Sequence, residues 1–146
     1  MNRARRLEPI REIAHDAERA VAFRVAVLER RLADAHQREQ DLRRYRSEYQ
    51  DSYAVRAGSG LQARQLREFQ TFLSRLGAAV EAQQATVAQL RQEAEQERAR
   101  LRNAMARHKA LGTVIERAQH EERAMDERRT QRELDEHALL RARVTP

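Results

Sequence analysis

A pair of glycines between two long helix-permissive segments constrains the fold of this chain most strongly. Residues 10–57 contain neither proline nor glycine, so a helix that enters this segment can continue through it. Gly58 and Gly60 follow close together, and helical periodicity resumes after them. Gly77 and Gly112 lie inside the second segment, where each costs a helix up to about 1 kcal/mol. This order predicts two helices joined by a tight turn, which makes them antiparallel neighbours.

Apolar residues recur every seven positions on both sides of the turn, as in a coiled coil. The main row of the first segment contains Leu7, Ala14, Val21, Leu28, Ala35, Leu42 and Tyr49, and its companions are Ile10, Ala17, Val25, Leu32 and Tyr45. One row of the second segment contains Leu66, Leu73, Val80, Val87, Ala94, Leu101, His108 and Ile115. The other contains Phe69, Leu76, Gln83, Leu90, Glu97, Ala104, Leu111, Ala118 and Met125. The sequence predicts an all-α fold, a long antiparallel two-helix coiled coil that forms a single domain.

The helix boundaries follow from proline, glycine and capping residues. Pro9 suits the first helical position, because its missing N–H would be unpaired there. Gly58 suits the left-handed residue that ends a helix, and Ser59 with Gln62 matches a capping box. We therefore expect helix 1 over residues 9–57, the tip at 58–60 and helix 2 over residues 61–140.

The unequal helix lengths predict an overhang. Helix 1 would reach about 70 Å and cover helix 2 only to about residue 108. Leu111, Ile115, Ala118 and Met125 continue the apolar pattern beyond that point. An apolar stripe without intrachain cover is expected to bind a partner; the alternative is a frayed, weakly helical tail.

Composition argues against an enzyme. Charged residues make up 36% of the chain, aromatic residues 4%, and mean hydropathy is −0.92, so there is material for a narrow interface between helices but not for a thick core with a pocket. Carboxylate pairs perform acid–base catalysis only where burial separates their pKa values. The sequence holds no glycine-rich phosphate loop, and we expect neither a catalytic site nor a cofactor.

The histidines predict no metal site. They are His15, His36, His108, His120 and His137. No two of them are three or four positions apart, the spacing that would bring two imidazoles together on one helix. Cysteine is absent, which fits a reducing compartment. The first residues lack the apolar segment of a signal peptide, and no window approaches the length of a membrane span.

Nucleic-acid binding is a competing interpretation, because the net charge is +6. The arginines Arg43, Arg44 and Arg46 lie beside two tyrosines that could stack on bases. Acidic residues interrupt this cluster at Asp41, Glu48 and Asp51. Charges of both signs alternate along the whole chain, which is more typical of solvated helix faces than of a nucleic-acid surface.

The aromatic residues point to a surface near the tip. Five of the six, all except Phe23, lie within residues 42–76. Phe72 falls outside the two rows and aligns at helical spacing with Leu76, Ala79 and Gln83, which forms a second stripe. The sequence leaves open whether the aromatic residues are hairpin core or binding anchors, and whether the polar residues Gln83 and Glu97 fix the register of the coiled coil or mark an open interface.

Three segments resemble the flagellar export protein family FliJ. They are YRSEY at 45–49, FQTFLSRLGAAV at 69–80 after the glycine-containing tip, and ERRTQRELDE at 127–136. The resemblance covers nearly the whole chain, including the longer second helix. It implies a cytoplasmic, non-enzymatic component of the flagellar type III export apparatus, peripheral at the cytoplasmic face of the inner membrane. A related injection system is not distinguished from a flagellum.

The resemblance also implies partners. One end of the coiled coil would enter the export ATPase hexamer as a stalk, the tip would bind the membrane export gate protein, and the chain would escort export chaperones. The positions that match the family's gate-binding surface are Leu42, Tyr45, Tyr49, Phe72, Leu76 and Ala79. At Arg38 and Gln83 the chain departs from the glutamine and histidine expected there, which affects the edges of the surface.

The sequence and the resemblance together assign the ATPase ring to the overhang. The expected contacts are Leu111, Ile115, Ala118, Met125, Arg128, Arg129 and Arg132. Two alternatives remain open: a coiled-coil scaffold that dimerises through the overhang, and a basic coiled coil that binds nucleic acid.

Overall fold

A computed structural model describes residues 2–144, and these residues form a helical hairpin. Helix α1 spans Arg3–Gly58 and helix α2 spans Ala63–Val144. No strand occurs among the described residues, and the two helices pack against each other, so the predicted fold class is confirmed. Within this part of the chain, neither helix has a segment apolar enough to cross a membrane.

Helix α1 begins earlier than predicted, and Pro9 lies inside it rather than at its start. The Asn2 side chain accepts a hydrogen bond from the Arg5 N–H at 2.9 Å, and the Asn2 carbonyl accepts one from Arg6 at 3.3 Å. Asn2 is therefore the N-cap. Ala4 in the first turn is buried against α2, and this packing explains why the helix extends past the proline.

The turn also differs from the prediction. Gly58 is the last residue of α1, and the left-handed residue is Gly60, with φ of 88°. The Ser59 N–H and hydroxyl both donate to the Arg56 carbonyl at 3.1 Å, so Ser59 closes α1 instead of capping α2. Gln62 occupies the N-cap of α2, where its N–H donates to the Gln65 side chain at 3.3 Å. This is one half of a capping box, three residues beyond the predicted position.

The chain divides into two compact units, each containing a segment of both helices. Among the described residues, one unit comprises 2–21 and 101–144, and the other comprises 22–100. In both units the main row of α1 and the two rows of α2 are buried or half-buried, with Met125 as the exception. These three predicted rows are confirmed as the interface between the helices.

The companion row of α1 was predicted incorrectly at three positions. Ile10, Ala17 and Tyr45 are exposed, and the residues one position further along the chain lie closer to α2. The observed row keeps a strict spacing of seven: Ala4, Arg11, Glu18, Val25, Leu32, Glu39, Arg46 and Tyr53. Four of its members are charged. The apolar pattern therefore predicted the neighbouring apolar residues in place of three of them.

The two polar residues in the second row of α2 both have partners on α1. Gln83 donates from Nε2 to the Ala35 carbonyl at 2.9 Å. Glu97 accepts from Arg24 at 3.3 Å and also pairs with Arg100 on its own helix. The interface is closed at both positions, which favours the interpretation that these residues fix the register.

Helix α1 covers more of α2 than its predicted length allowed. Ala4, Ile115 and Ala118 form one buried cluster, with Leu7 packed against it. The Ala4 N–H also donates to Glu122 Oε1 at 3.4 Å. The overhang therefore begins near Met125 instead of residue 110, because α1 starts at Arg3.

Candidate protein-binding sites

The aromatic residues near the turn pack on one another across the hairpin. The Tyr49 ring lies 4.8 Å from Phe69 and 4.4 Å from Phe72 between centroids. Tyr53 lies 5.3 Å from Phe69, and Tyr45 meets Phe72 edge-on at 6.4 Å. These separations are those of stabilising aromatic pairs. The cluster is therefore both part of the hairpin core and the support of the surface beside it.

The six residues expected to bind the export gate include three members of this cluster, and we call the six the tip patch. They are Leu42, Tyr45, Tyr49, Phe72, Leu76 and Ala79. Leu76 is buried at 8% exposure, whereas Tyr45 is 52% exposed. The other four are half-buried. Tyr45 thus presents the largest accessible side chain of the patch, and Phe72 supports it from α2 rather than projecting alone into solvent.

Two of the three arginines near the tip patch form ion pairs with acidic residues of α1. Arg43 donates to Glu39 at 3.0 Å, and Arg44 donates to Asp41 at 2.8 Å. Arg46 lies half-buried in the interface between the helices. The paired carboxylates reduce the positive charge that a phosphate would meet at Arg43 and Arg44, so the geometry does not favour nucleic-acid binding here.

The residues expected to bind the ATPase ring fall into two different environments. Ile115 and Ala118 are buried at 1% and 3% exposure in the cluster with Ala4, and Leu111 is half-buried. The prediction that these residues form an uncovered stripe is wrong, because α1 reaches them. Met125 is 63% exposed, and the arginines Arg128, Arg129 and Arg132 are exposed as well.

Beyond the covered region, α2 continues as an exposed helix over residues 125–144, which we call the exposed segment. It carries large apolar side chains at Met125, Leu134, Leu139, Leu140 and Val144. Its arginines lie among acidic residues; Arg129, for example, is 3.5 Å from Asp126. A helix with accessible apolar and basic side chains is suited to binding another protein.

One cluster of histidine and glutamate side chains could not be predicted from spacing along the sequence, because its members are on different helices. His108 Nδ1 lies 2.6 Å from Glu18 Oε2, and the His108 ring lies 5.1 Å from that of His15. Spacing within one helix does not reveal such a pair, because His15 lies on α1 and His108 on α2. The cluster could have been predicted from the pairing of the two helices, because Glu18 and His108 lie in rows that face each other.

Phe23 is a second feature to which the sequence pattern assigns no role. It is 71% exposed and lines a shallow groove with Arg24, Val27, Leu28 and Arg31 of the same helix, together with Glu97 of α2. Phe23 lies outside both rows of α1, so its exposure follows from the heptad. An isolated exposed aromatic residue is unremarkable on a protein surface.

Comparison with known proteins identifies the family. A family model described as "Flagellar FliJ protein" matches residues 3–145, essentially the whole chain. No curated protein and no solved structure matches the chain. The match spans both helices, the turn with the tip patch and the exposed segment. The chain therefore belongs to the FliJ family and is a component of the flagellar export apparatus.

Proposed function

We propose that this chain is a non-enzymatic stalk and adaptor, which binds the export ATPase ring through its exposed segment and the membrane export gate through its tip patch. The observation that carries the proposal is the continuation of α2 over residues 125–144, every one of which is exposed. A helix that extends past its intrachain partner has side chains available on all faces, as insertion into a ring requires.

Burial between the two helices changes which of the predicted residues can contact the ATPase ring. Met125, Arg128, Arg129 and Arg132 remain contacts, because their side chains are exposed. Ile115 and Ala118 instead hold α2 against α1 and act indirectly, by fixing where the exposed segment begins. Leu134 and Leu139 add accessible apolar area to the ring-binding surface.

The tip patch provides the second contact. Tyr45 is its most exposed aromatic residue; Phe72 packs edge-on against the Tyr45 ring, and Tyr49 in turn packs on Phe72. Binding to the gate would bring the chain to the cytoplasmic face of the inner membrane as a peripheral component. Escort of export chaperones is the proposed third part of the adaptor role, and membership of the family is its only support.

ATP hydrolysis by the purified export ATPase tests the ring contact. The full chain should stimulate hydrolysis, and a chain truncated after Ala124 should not, although it retains the buried cluster of Ala4 and Ile115. Combined alanine substitution of Arg128, Arg129 and Arg132 should weaken the stimulation. The matched control replaces three exposed arginines elsewhere, Arg30, Arg67 and Arg107, and should leave it unchanged. Equal stimulation by the truncated chain would rule out ring binding through the exposed segment.

Self-association is the second candidate function, because the exposed segment carries several accessible leucines. In that case the chain would be a scaffold that dimerises through this segment. Sedimentation at micromolar concentration distinguishes the two functions. A monomer favours the stalk, and a dimer that dissociates on truncation after Ala124 favours the scaffold.

A further inference from the structure

Two histidines and one glutamate meet across the hairpin in the unit that contains both chain ends. His15 and Glu18 are three residues apart on α1, so they share a face of that helix. His108 reaches them from α2, and its Nδ1 is 2.6 Å from Glu18 Oε2. One ligand atom from each residue can be chosen so that all three lie within 4.8 Å of one another. This arrangement joins the two helices through potential metal ligands.

The donor atoms select a class of metal ion. Two imidazole nitrogens with one carboxylate oxygen suit Zn²⁺ and its neighbours Co²⁺ and Ni²⁺, whereas Mg²⁺ and Ca²⁺ require oxygen ligands. A tetrahedral zinc site with bonds of about 2.0–2.1 Å holds its ligands about 3.3 Å apart. The three donor atoms lie within 4.8 Å of one another, and rotation of the His15 side chain, which is exposed, can bring them to that spacing.

The surrounding charges also favour a cation. The groove at this cluster is lined by Glu8, Glu12 and Asp16 in addition to the two histidines. Among the described residues that line the groove, Arg11 is the one arginine or lysine, and it lies 3.8 Å from Glu8. The groove is open to solvent on one side, so water can occupy a fourth coordination position.

We propose that His15, Glu18 and His108 bind one Zn²⁺ ion and thereby clamp α1 to α2. In the metal-free form Glu18 and His108 share a hydrogen bond. When the ion binds, it takes the place of the hydrogen at Nδ1, and that hydrogen moves to Nε2 of the same ring. Binding to the folded hairpin alone stabilises it in proportion to the logarithm of the free metal concentration. The proposal is independent of the stalk function, since neither the tip patch nor the exposed segment contributes a ligand.

Calorimetric titration of the untagged full chain with ZnCl2 at neutral pH tests the stoichiometry. We expect one Zn²⁺ per chain, and MgCl2 should give no binding. Co²⁺ should bind in the same place and produce the visible absorption bands of a low-coordinate nitrogen and oxygen site. Zinc, but not magnesium, should also raise the melting temperature. The absence of a one-to-one event would overturn the proposal.

Single substitutions identify the ligands. His15→Gln and His108→Ala should each weaken Zn²⁺ binding by at least about tenfold, since loss of a ligand costs no less than loss of its supporting groups. His15 is exposed, so His15→Gln tests the site even if His108→Ala lowers stability. The matched controls, His120→Ala and His137→Ala, remove exposed histidines and should retain full affinity. Equal weakening by a control, or unchanged binding after His15→Gln, would assign the ion to nonspecific surface histidines and overturn the proposal.

Discussion

The Gln83 side-chain amide of α2 donates a hydrogen bond to the Ala35 main-chain carbonyl of α1, with 2.9 Å between nitrogen and oxygen. A helical carbonyl has a second lone pair that can accept such a bond. Among the described residues of its row, Gln83 is the one with a side-chain amide, and this amide contacts the backbone of α1. A shift of the helices by one position would separate the two groups, so the contact selects one register.

Substitutions at Gln83 test whether this residue selects the register of the helices or only stabilises the hairpin. Gln83→Ala should lower the free energy of unfolding by about 0.5–1.5 kcal/mol, because it removes the hydrogen bond. Gln83→Leu should be at least as stable as the parent chain, because apolar residues pack better at core positions of a coiled coil. Urea unfolding of both variants measures the difference. Equal destabilisation by alanine and leucine would contradict the register role.

Ile115 and Met125 test where the covered part of α2 ends. Ile115→Ala should cost about 2–5 kcal/mol of unfolding free energy, because the side chain is 1% exposed and its removal leaves a cavity. Met125→Ala should change it by less than about 0.5 kcal/mol, because that side chain is 63% exposed. Thermal or urea unfolding compares the two. Similar small effects would show that α1 does not cover α2 at Ile115.

Tyr45 offers a cleaner test of gate binding than Phe72. Tyr45→Ala should weaken binding to the purified export gate protein while the unfolding free energy changes by less than about 1 kcal/mol, because the side chain is 52% exposed. Phe72→Ala should weaken binding and also destabilise the hairpin by about 1–3 kcal/mol, because the Phe72 ring packs on Tyr49. Binding assays paired with circular dichroism melts measure both effects. Undiminished binding by Tyr45→Ala would place the gate contact elsewhere.

Alanine at the two tip glycines should have opposite effects. Gly60 has φ of 88°, so Gly60→Ala should destabilise the hairpin by about 1 kcal/mol through backbone strain. Gly58 is helical and has open space around its Cα, so Gly58→Ala should stabilise it by about 0.4–1 kcal/mol. Urea unfolding reports both changes. A stabilising Gly60→Ala would be inconsistent with a left-handed residue at that position.

The candidate sites were predictable to different degrees. The proximity of the tip-patch residues follows from residue order, because a hairpin brings residues 42–49 and 72–79 together whatever the details of the turn. Their assignment to the export gate rests on the family resemblance. The overhang was misplaced because its start depends on where α1 begins. That start depends on the Asn2 cap and on the packing of Ala4 against α2, and a proline at position 9 suggested a later start. The cluster of His15, Glu18 and His108 depends on the pairing of two helices, which spacing within one helix does not reveal.

The sequence by itself determined the two helices, the turn between them and the three apolar rows, because these features depend on local propensity and on a period of seven residues. The tertiary structure decided which charged residues share the interface, how far α1 covers α2, and which glycine takes the left-handed conformation. Glu18 and Glu39 occupy positions on α1 that face α2, although their charge alone would place them on the surface. The reason is that burial of a polar side chain depends on its partners across the interface, and those partners are fixed only when the two helices adopt one register.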